Sequence, residues 1–434
     1  MYHQAGPAQR QAWLAVLAIL ACVYVYEQIK IPLENYSNPE RRLYHANDLK
    51  HLYLGSRLLL RGESPYPAHQ LHAEAFKVRH PEMVRLNPYV YPPFTGYLFG
   101  WLTLFSYDQV KMIWFWGSQV LLFLSLMLCW SKPVGCPLLP WLAVSLGTVA
   151  YFFPHFRSIT AGQLNHFLLF LISLIFFLWR HGCRKTSGAV IGLATLVKVQ
   201  PGFLLVWLCW KREWGAFLSA ILAILLLIFG PAVRYGLYPY FDYLGVLKDM
   251  GYGSSTWSDQ GAAFYVDPGN IGFPALLYRL FTTNPRTSPW LDLGGLAYFG
   301  SMVWALAVLA LCLMCCRIRR RDEDPEMEMS AWLFGMLLIP SLFWDHYLVL
   351  LIPAWLTLIS RLSQSGVGDG VMAVAACCWA ICCWKFYWFG PESLHGLGML
   401  YLNIPLMPVL ILFSLCLLMA RESHIRPGGE PSPL

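Results

Sequence analysis

The sequence predicts an all-α polytopic membrane protein: a bundle of about 11–13 hydrophobic helices, with external amphipathic helices and one re-entrant hairpin. Three observations carry that prediction. Of 434 residues, 57% are hydrophobic and only 13% are charged, where a soluble domain carries about 25% charged residues. The apolar residues fall in ten long runs, at 12–29, 111–130, 138–153, 162–179, 214–233, 291–316, 330–344, 347–360, 371–389 and 397–420, on the scale of a bilayer crossing. Short basic loops recur between them: RHGCRK at 180–185, WKREW at 210–214, RIRRR at 317–321 and the tail RESHIR. Such loops collect on the cytoplasmic side. The net charge of +7 is therefore read as an orientation signal, and nucleic acid is not an expected partner.

Counting crossings from a cytoplasmic N-terminus orders the remaining elements. The run at 12–29 lacks a small-residue cleavage site and reads as a retained first helix. It delivers a loop spanning 30–110 to the outside. If 89–105 then crossed fully, RHGCRK would emerge on the wrong face, so VYPPFTGYLFGWLTLF is expected to be a non-crossing helix within that loop. The broken run at 188–210 joins two basic loops and must therefore go in and come back, turning near Gln200 and Pro201. Such a hairpin is tolerated at membrane depth where protein or a watery cavity covers its backbone. Further external segments are expected at 154–161, at 234–290 and at WDHY, 344–347, and residues 421–434 form a cytoplasmic tail. The whole chain, 1–434, reads as one integral-membrane domain.

Thirteen cysteines do not imply a disulfide framework, because nearly all sit in apolar runs or beside basic loops and the long polar loops have none. CCWAICC, at 377–383, lacks His and acidic neighbours; small-residue helix packing accounts for it better than a metal cluster does.

A few polar residues need a reason. Asp48 opens an amphipathic stretch with Leu49, Leu52, Leu54, Leu58 and Leu59. It is either a solvated carboxylate or helix N-cap, or a general base whose pKa partial desolvation raises. Lys198, in GLATLVKVQPG, lies within the hairpin, where a lone charge costs about 2.5–3.5 kcal/mol. It either snorkels to the surface or clamps a phosphate. Arg157, Gln163 and Asn165, in FRSITAGQLN, serve capping and helix packing or else aim donors at a sugar or phosphate. Asp345 and His346 form a tight interhelical turn or an acceptor-side pair, since His titrates near neutrality. The spacings of a zinc site and of a P-loop are absent.

Five pieces in order make the chain resemble glycosyltransferase family 87, the polyprenyl-phosphate-mannose-dependent mannosyltransferases of the GT-C membrane fold. Asp48 is followed by Tyr53 and a G-x-x-P-Y turn at Gly62, Pro65 and Tyr66. Then come YPP at 91–93, GQLN at 162–165, GLATLVKVQP at 192–201 and PSLFWDHYLVLL at 340–351. The chain departs from the pattern at DPGNIGF, 267–273, where relatives more often show an Asn-Gln-Ser run. The role of the 234–290 loop is therefore the least legible.

The resemblance implies a membrane glycosyltransferase that moves a hexose, mannose by family analogy, from a polyprenyl-phosphate-sugar donor to a hydroxyl of a glycolipid or glycan acceptor, with inversion. It maps the catalytic carboxylate onto Asp48; His346, also expected to be catalytic, is placed beside the acceptor or the sugar. Lys198, Arg157, Gln163, Asn165 and Tyr91 fall on the donor phosphate and sugar, and Asp345 and Tyr53 on the acceptor side. No cofactor is expected and no metal is required, since phosphate is already a good leaving group. A bacterial inner membrane fits, with both termini cytoplasmic and the active site outside. Two alternatives remain: a transporter or flippase of lipid-linked sugars, and a transferase using another polyprenyl-linked sugar such as a pentose.

Overall fold

The computed structural model describes residues 7–38, 46–84, 86–130, 137–316, 324–365, 368–384 and 390–422. The basic run at 317–321 and the tail from 423 onward lie outside them. The helices are α1 Pro7–Tyr24, α2 Ile31–Ser37, α3 Asn47–Leu59, α4 Ala68–Val78, α5 Pro93–Leu98, α6 Tyr107–Leu128, α7 Leu138–Ala150, α8 Phe153–Ala161, α9 Asn165–Arg180 and α10 Arg184–Val197. They continue with α11 Phe203–Trp210, α12 Trp214–Tyr235, α13 Tyr238–Asp249, α14 Phe273–Phe281, α15 Gly294–Cys315, α16 Pro325–Leu338, α17 Ile352–Gln364, α18 Asp369–Cys383 and α19 Leu406–Glu422. Among the described residues, extended pairing is limited to two isolated bridges, Asn270–Trp344 and Ser288–His395. The protein is an all-α polytopic membrane protein.

Among the described residues, five segments are long and apolar enough to cross a bilayer: Pro7–Ser37, Tyr107–Leu128, Trp214–Tyr235, Gly294–Cys315 and Asp345–Gln364. Two bent pairs raise the number to seven: α7 with α8, bent by 50°, and Gly396–Asn403 with Leu406–Arg421, bent by 49°. Other hydropathic runs give shorter helices, such as Asn165–Arg180 and Asp369–Cys383. Asn165–Arg180 is buried along most of its length against other helices, and Asp369–Cys383 buries only Ala375, Cys378, Trp379, Cys382 and Cys383. At Gly162, φ is +71° and a Cβ would lie 2.7 Å from Leu49 Cβ, so α9 cannot extend back through it. The first helix is longer than its hydropathy suggests. A π-helical turn at Val25–Lys30 carries α1 directly into α2, so the loop expected from residue 30 begins only after Ser37.

The YPP segment forms α5 and a 3₁₀ stretch, Gly100–Leu104, and neither piece is long enough to cross. The 188–210 run forms the end of α10 and then α11, with a break at Gln200–Gly202. Arg184 Nη1, at the start of α10, lies 2.6 Å from Glu213 Oε1, just beyond the end of α11, so the chain enters and returns to the same end. Close packing of α10 on α12 permits this. A Cβ at Gly188 or Gly192 would lie 2.0 Å or 2.4 Å from the carbonyls of Ala216 and Ala220, a small-residue contact typical of membrane helix pairs.

Charged groups segregate to the two ends of this bundle. Around the basic loops, Arg180 pairs with Glu326 at 2.6 Å, Lys211 with Glu328 at 3.1 Å, and Arg361 with Asp324. Arg180 ends the helix that begins at Asn165, and fifteen steps of about 1.5 Å put the two ends roughly 22 Å apart.

Candidate active site

A cavity of about 410 Å³ opens at the Asn165 end of the bundle. Its wall includes six residues singled out from sequence: Asp48, Tyr91, Arg157, Gln163, Lys198 and His346. Those six residues come from five distant stretches of chain, brought together at one end of the bundle.

Asp48 enters on the first turn of α3. Ala46 precedes the helix in a left-handed conformation, φ 53°; its N–H donates to the Thr160 carbonyl at 2.7 Å, and its carbonyl accepts from Tyr107 Oη at 3.1 Å. The capping position belongs to Ala46, and no side chain caps the helix, which disposes of the N-cap reading of Asp48. Its carboxylate instead accepts a hydrogen bond from Gln163 Nε2 at Oδ2, while Oδ1 lies 3.8 Å from His51 Nδ1. Burial raises the Asp48 pKa, against the pull of Arg157, the Gln163 hydrogen bond, Lys198 and Lys50. An ionised carboxylate that burial makes a better base, kept in check by cations, is suited to proton abstraction.

Lys198 sits where the hairpin turns. The residue following α10 is extended, φ −154° and ψ 134°, so the side chain leaves the helix and reaches the cavity. Its Nζ lies 3.7 Å from the centre of the Tyr347 ring and donates to Asn165 Oδ1 at 3.3 Å. Cation–π contact and a neutral acceptor hold the ammonium without neutralising it. Burial lowers its pKa to about 7, with Asp48 opposing. Arg157 comes from α8, whose bend from α7 turns it over the cavity.

Asn165 is fully buried and does not line the cavity. It works behind the wall: besides accepting from Lys198, its Nδ2 donates to the His346 carbonyl at 3.0 Å and to Ser158 Oγ at 2.9 Å. Asp345 also lies off the main cavity, beside a small neighbouring one lined by Phe153, Pro154 and Gly269. Its Oδ1 accepts the His346 backbone N–H at 2.7 Å and faces His346 Nδ1 at 3.2 Å. A carboxylate can only accept, so the imidazole proton sits on Nδ1. Nε2, which has no partner among the described residues, is left for the cavity. Tyr53, expected on the acceptor side, is displaced from that role. It packs on Tyr107 and donates to the Phe105 carbonyl at 3.1 Å, bracing α3 against the YPP segment.

Cavity residues not expected from sequence include His51, Asn87 and Tyr347. His51 was visible as the i+3 neighbour of Asp48, and Tyr347 as the last letter of WDHY; Asn87 carries no such signal. Sequence reasoning also missed how the WDH segment is held. Asn270, in DPGNIGF, is fully buried; its Nδ2 donates to the Ser341 carbonyl at 2.8 Å and its Oδ1 accepts the Phe343 N–H at 3.0 Å. Buried Arg279 donates to the carbonyls of Asp267, at 2.7 Å, and Asn270, at 3.0 Å. Among the described residues, the one group of three with ligating atoms close enough for a metal is His80, Glu82 and Asp108. None of the three lines the cavity, and Lys111 Nζ already lies 2.6 Å from Glu82 and 3.0 Å from Asp108.

The model for glycosyltransferase family 87 matches residues 89–343 of this chain, more than half its length. The match contains the hairpin with Lys198, the segment with Arg157 and Gln163, and DPGNIGF; Asp48 and His346 flank it. The chain is also 26% identical over 298 residues to a polyprenol-phosphate-mannose-dependent α-(1-2)-phosphatidylinositol pentamannoside mannosyltransferase of Mycobacterium tuberculosis, an alignment covering 66% of this chain and 61% of that protein. It is 29% identical over 234 residues to an α-(1→3)-arabinofuranosyltransferase of Corynebacterium glutamicum, covering 51% of this chain and 47% of that protein. The chain thus spans less than two thirds of the length of either relative.

Proposed function

The chain belongs to glycosyltransferase family 87, and from that premise we propose that it transfers a hexose, mannose in the first instance, from a polyprenyl-phosphate sugar to a hydroxyl of a lipid-linked glycan or polysaccharide. One observation carries the reading: a half-buried carboxylate, Asp48, shares a cavity wall with two cations, Lys198 and Arg157. The acceptor oxygen attacks the anomeric carbon from the face opposite the phosphate. As the new C–O bond forms, the anomeric C–O(phosphate) bond breaks, its electron pair leaves on the phosphate, and the hydroxyl proton passes to Asp48. A phosphate leaving group needs no general acid, so one carboxylate suffices where glycosidases use two. The departing charge needs a cation, and Lys198 with Arg157 supplies it, so no metal ion is called for. His346 Nε2, an acceptor when the ring is neutral, receives a hydroxyl of the sugar or the acceptor. Gln163 holds Asp48, and Asn165 positions Lys198 and His346 from behind.

The relative named as an arabinofuranosyltransferase supports a second reading within the same class, a pentose donor. Purified protein reconstituted in lipid and given radiolabelled polyprenyl-phosphate mannose or arabinose with a membrane extract separates them. A labelled product with mannose is expected; product with the pentose alone replaces the hexose reading, and product with neither removes both. Asp48→Asn is expected to abolish transfer while leaving donor binding near normal, and turnover retained by that variant sinks the base assignment.

A further inference from the structure

His51 has no role in the scheme above, yet its surroundings specify it closely. It lies one helical turn from Asp48 on α3, so the two side chains share a face, and its side chain is 3% exposed. Nε2 accepts the backbone N–H of Asn87 at 2.7 Å. A backbone amide can only donate, so Nε2 carries no proton and the neutral ring must carry its proton on Nδ1. Nδ1 is the atom 3.8 Å from Asp48 Oδ1. Burial beside Lys50 lowers the His51 pKa to about 3, so the ring stays neutral across any working pH.

We infer that His51 is a positioning residue for the catalytic carboxylate: the Asn87 backbone fixes its tautomer, and the fixed Nδ1–H faces Oδ1 while Gln163 takes Oδ2. The inference rests on reading Asp48 as the base. At 3.8 Å the contact is longer than a hydrogen bond, so it acts as an oriented dipole that restrains carboxylate rotation and favours its ionised form. The other titratable groups facing Asp48 are Lys50 on its own helix, Arg157 from α8, Lys198 from the hairpin, and Tyr91, Tyr107 and Tyr347. His51 differs from the cations among them in acting without a charge of its own, so its contribution persists at high salt.

A purely structural role, tethering Asn87, is the rival, and two near-isosteric substitutions separate the two. His51→Asn keeps an N–H donor near the Nδ1 position and loses the acceptor for Asn87. His51→Gln keeps an acceptor near the Nε2 position and loses the donor. The readout is the pH dependence of kcat/KM for the reconstituted protein. His51→Gln is expected to lose about tenfold in kcat and to move the acid limb up by about one pH unit, while His51→Asn keeps the wild-type limb. A wild-type profile in His51→Gln together with a loss in His51→Asn overturns the inference in favour of the tether. Nitrogen NMR of 15N-histidine-labelled wild-type protein in nanodiscs, with His51 assigned by difference, checks the tautomer even where a variant folds poorly; a protonated Nε2 overturns it. Failure of the underlying reading looks different, because Asp48→Asn then still turns over, and that result removes the role of His51 too. Asp48-dependent turnover with an unmoved His51→Gln profile removes the His51 role alone.

Discussion

Asp48 and Lys198 perturb each other across one cavity, so the pH dependence of the empty enzyme follows from both. Asp48 works as carboxylate; its raised pKa means the base is present above that value and lost as pH falls through it. The acid limb of kcat/KM is therefore expected above the ordinary carboxylate value of about 4. Lys198 works as ammonium, present below a pKa of about 7 and lost as pH rises through it, which gives an alkaline limb near neutrality. Bound donor phosphate favours the ammonium, so the alkaline limb of kcat is expected at higher pH than that of kcat/KM; identical limbs would exclude Lys198 from the phosphate. Lys198→Ala is expected to weaken donor binding by about 10- to 100-fold, the scale of a hydrogen bond to a charged group, with acceptor KM little changed. Equal affinity for a polyprenyl-phosphate sugar in a binding assay removes the clamp. Lys198 was legible in sequence because a charge in an apolar context needs an explanation, whereas Asp48 stood in a polar stretch and was singled out through the family resemblance. Asn165 was legible only as a polar residue heading a helix. That it contacts Lys198 and the His346 carbonyl, 181 positions away, is a tertiary fact that local sequence does not encode.

At the scale of elements, helix length was not readable from hydropathy. Loop charge and parity require the 188–210 segment to return to its starting end, and the Arg184–Glu213 pair shows that it does. Hydropathy overstated several spans because a helix buried among other helices and one facing lipid have the same composition; α16, only Pro325–Leu338, is buried along its whole length. DPGNIGF was opaque for another reason. Its function is carried by bonds to backbone groups far along the chain, which no spacing rule captures. Asn270 fixes the strand-like segment at 341–344 immediately before His346. Asn270→Ala leaves buried partners unsatisfied and is expected to lower kcat by about tenfold. Asn270 has no contact with Asp48, so the acid limb of the pH profile is expected to stay in place. A variant within twofold of wild-type turnover would show that the brace is dispensable, and a shifted acid limb would show that DPGNIGF reaches the base by another route.

The whole molecule is polarised, and that polarity bears on which side of the membrane does the chemistry. The cavity with Asp48, Lys198 and His346 lies at one end of the bundle, and the ion pairs around Arg180, Arg184 and Lys211 lie at the other. Basic residues beside spans are retained on the cytoplasmic side, so the cavity is expected to open to the outside, where a flipped lipid-linked donor is accessible. One native thiol and one introduced thiol report on the two ends. Cys183 is exposed within the basic loop, and Lys77, whose side chain is 61% exposed, lies on α4 in the loop that follows Asp48. In intact cells, a membrane-impermeant maleimide is expected to label Lys77→Cys in a Cys183→Ser background and to leave Cys183 of the unsubstituted protein unlabelled until the membrane is permeabilised. The reverse pattern would place the cavity in the cytoplasm. A cytosolic sugar nucleotide would then become a better donor than a polyprenyl-phosphate sugar, because nothing would be gained by carrying the sugar on a lipid.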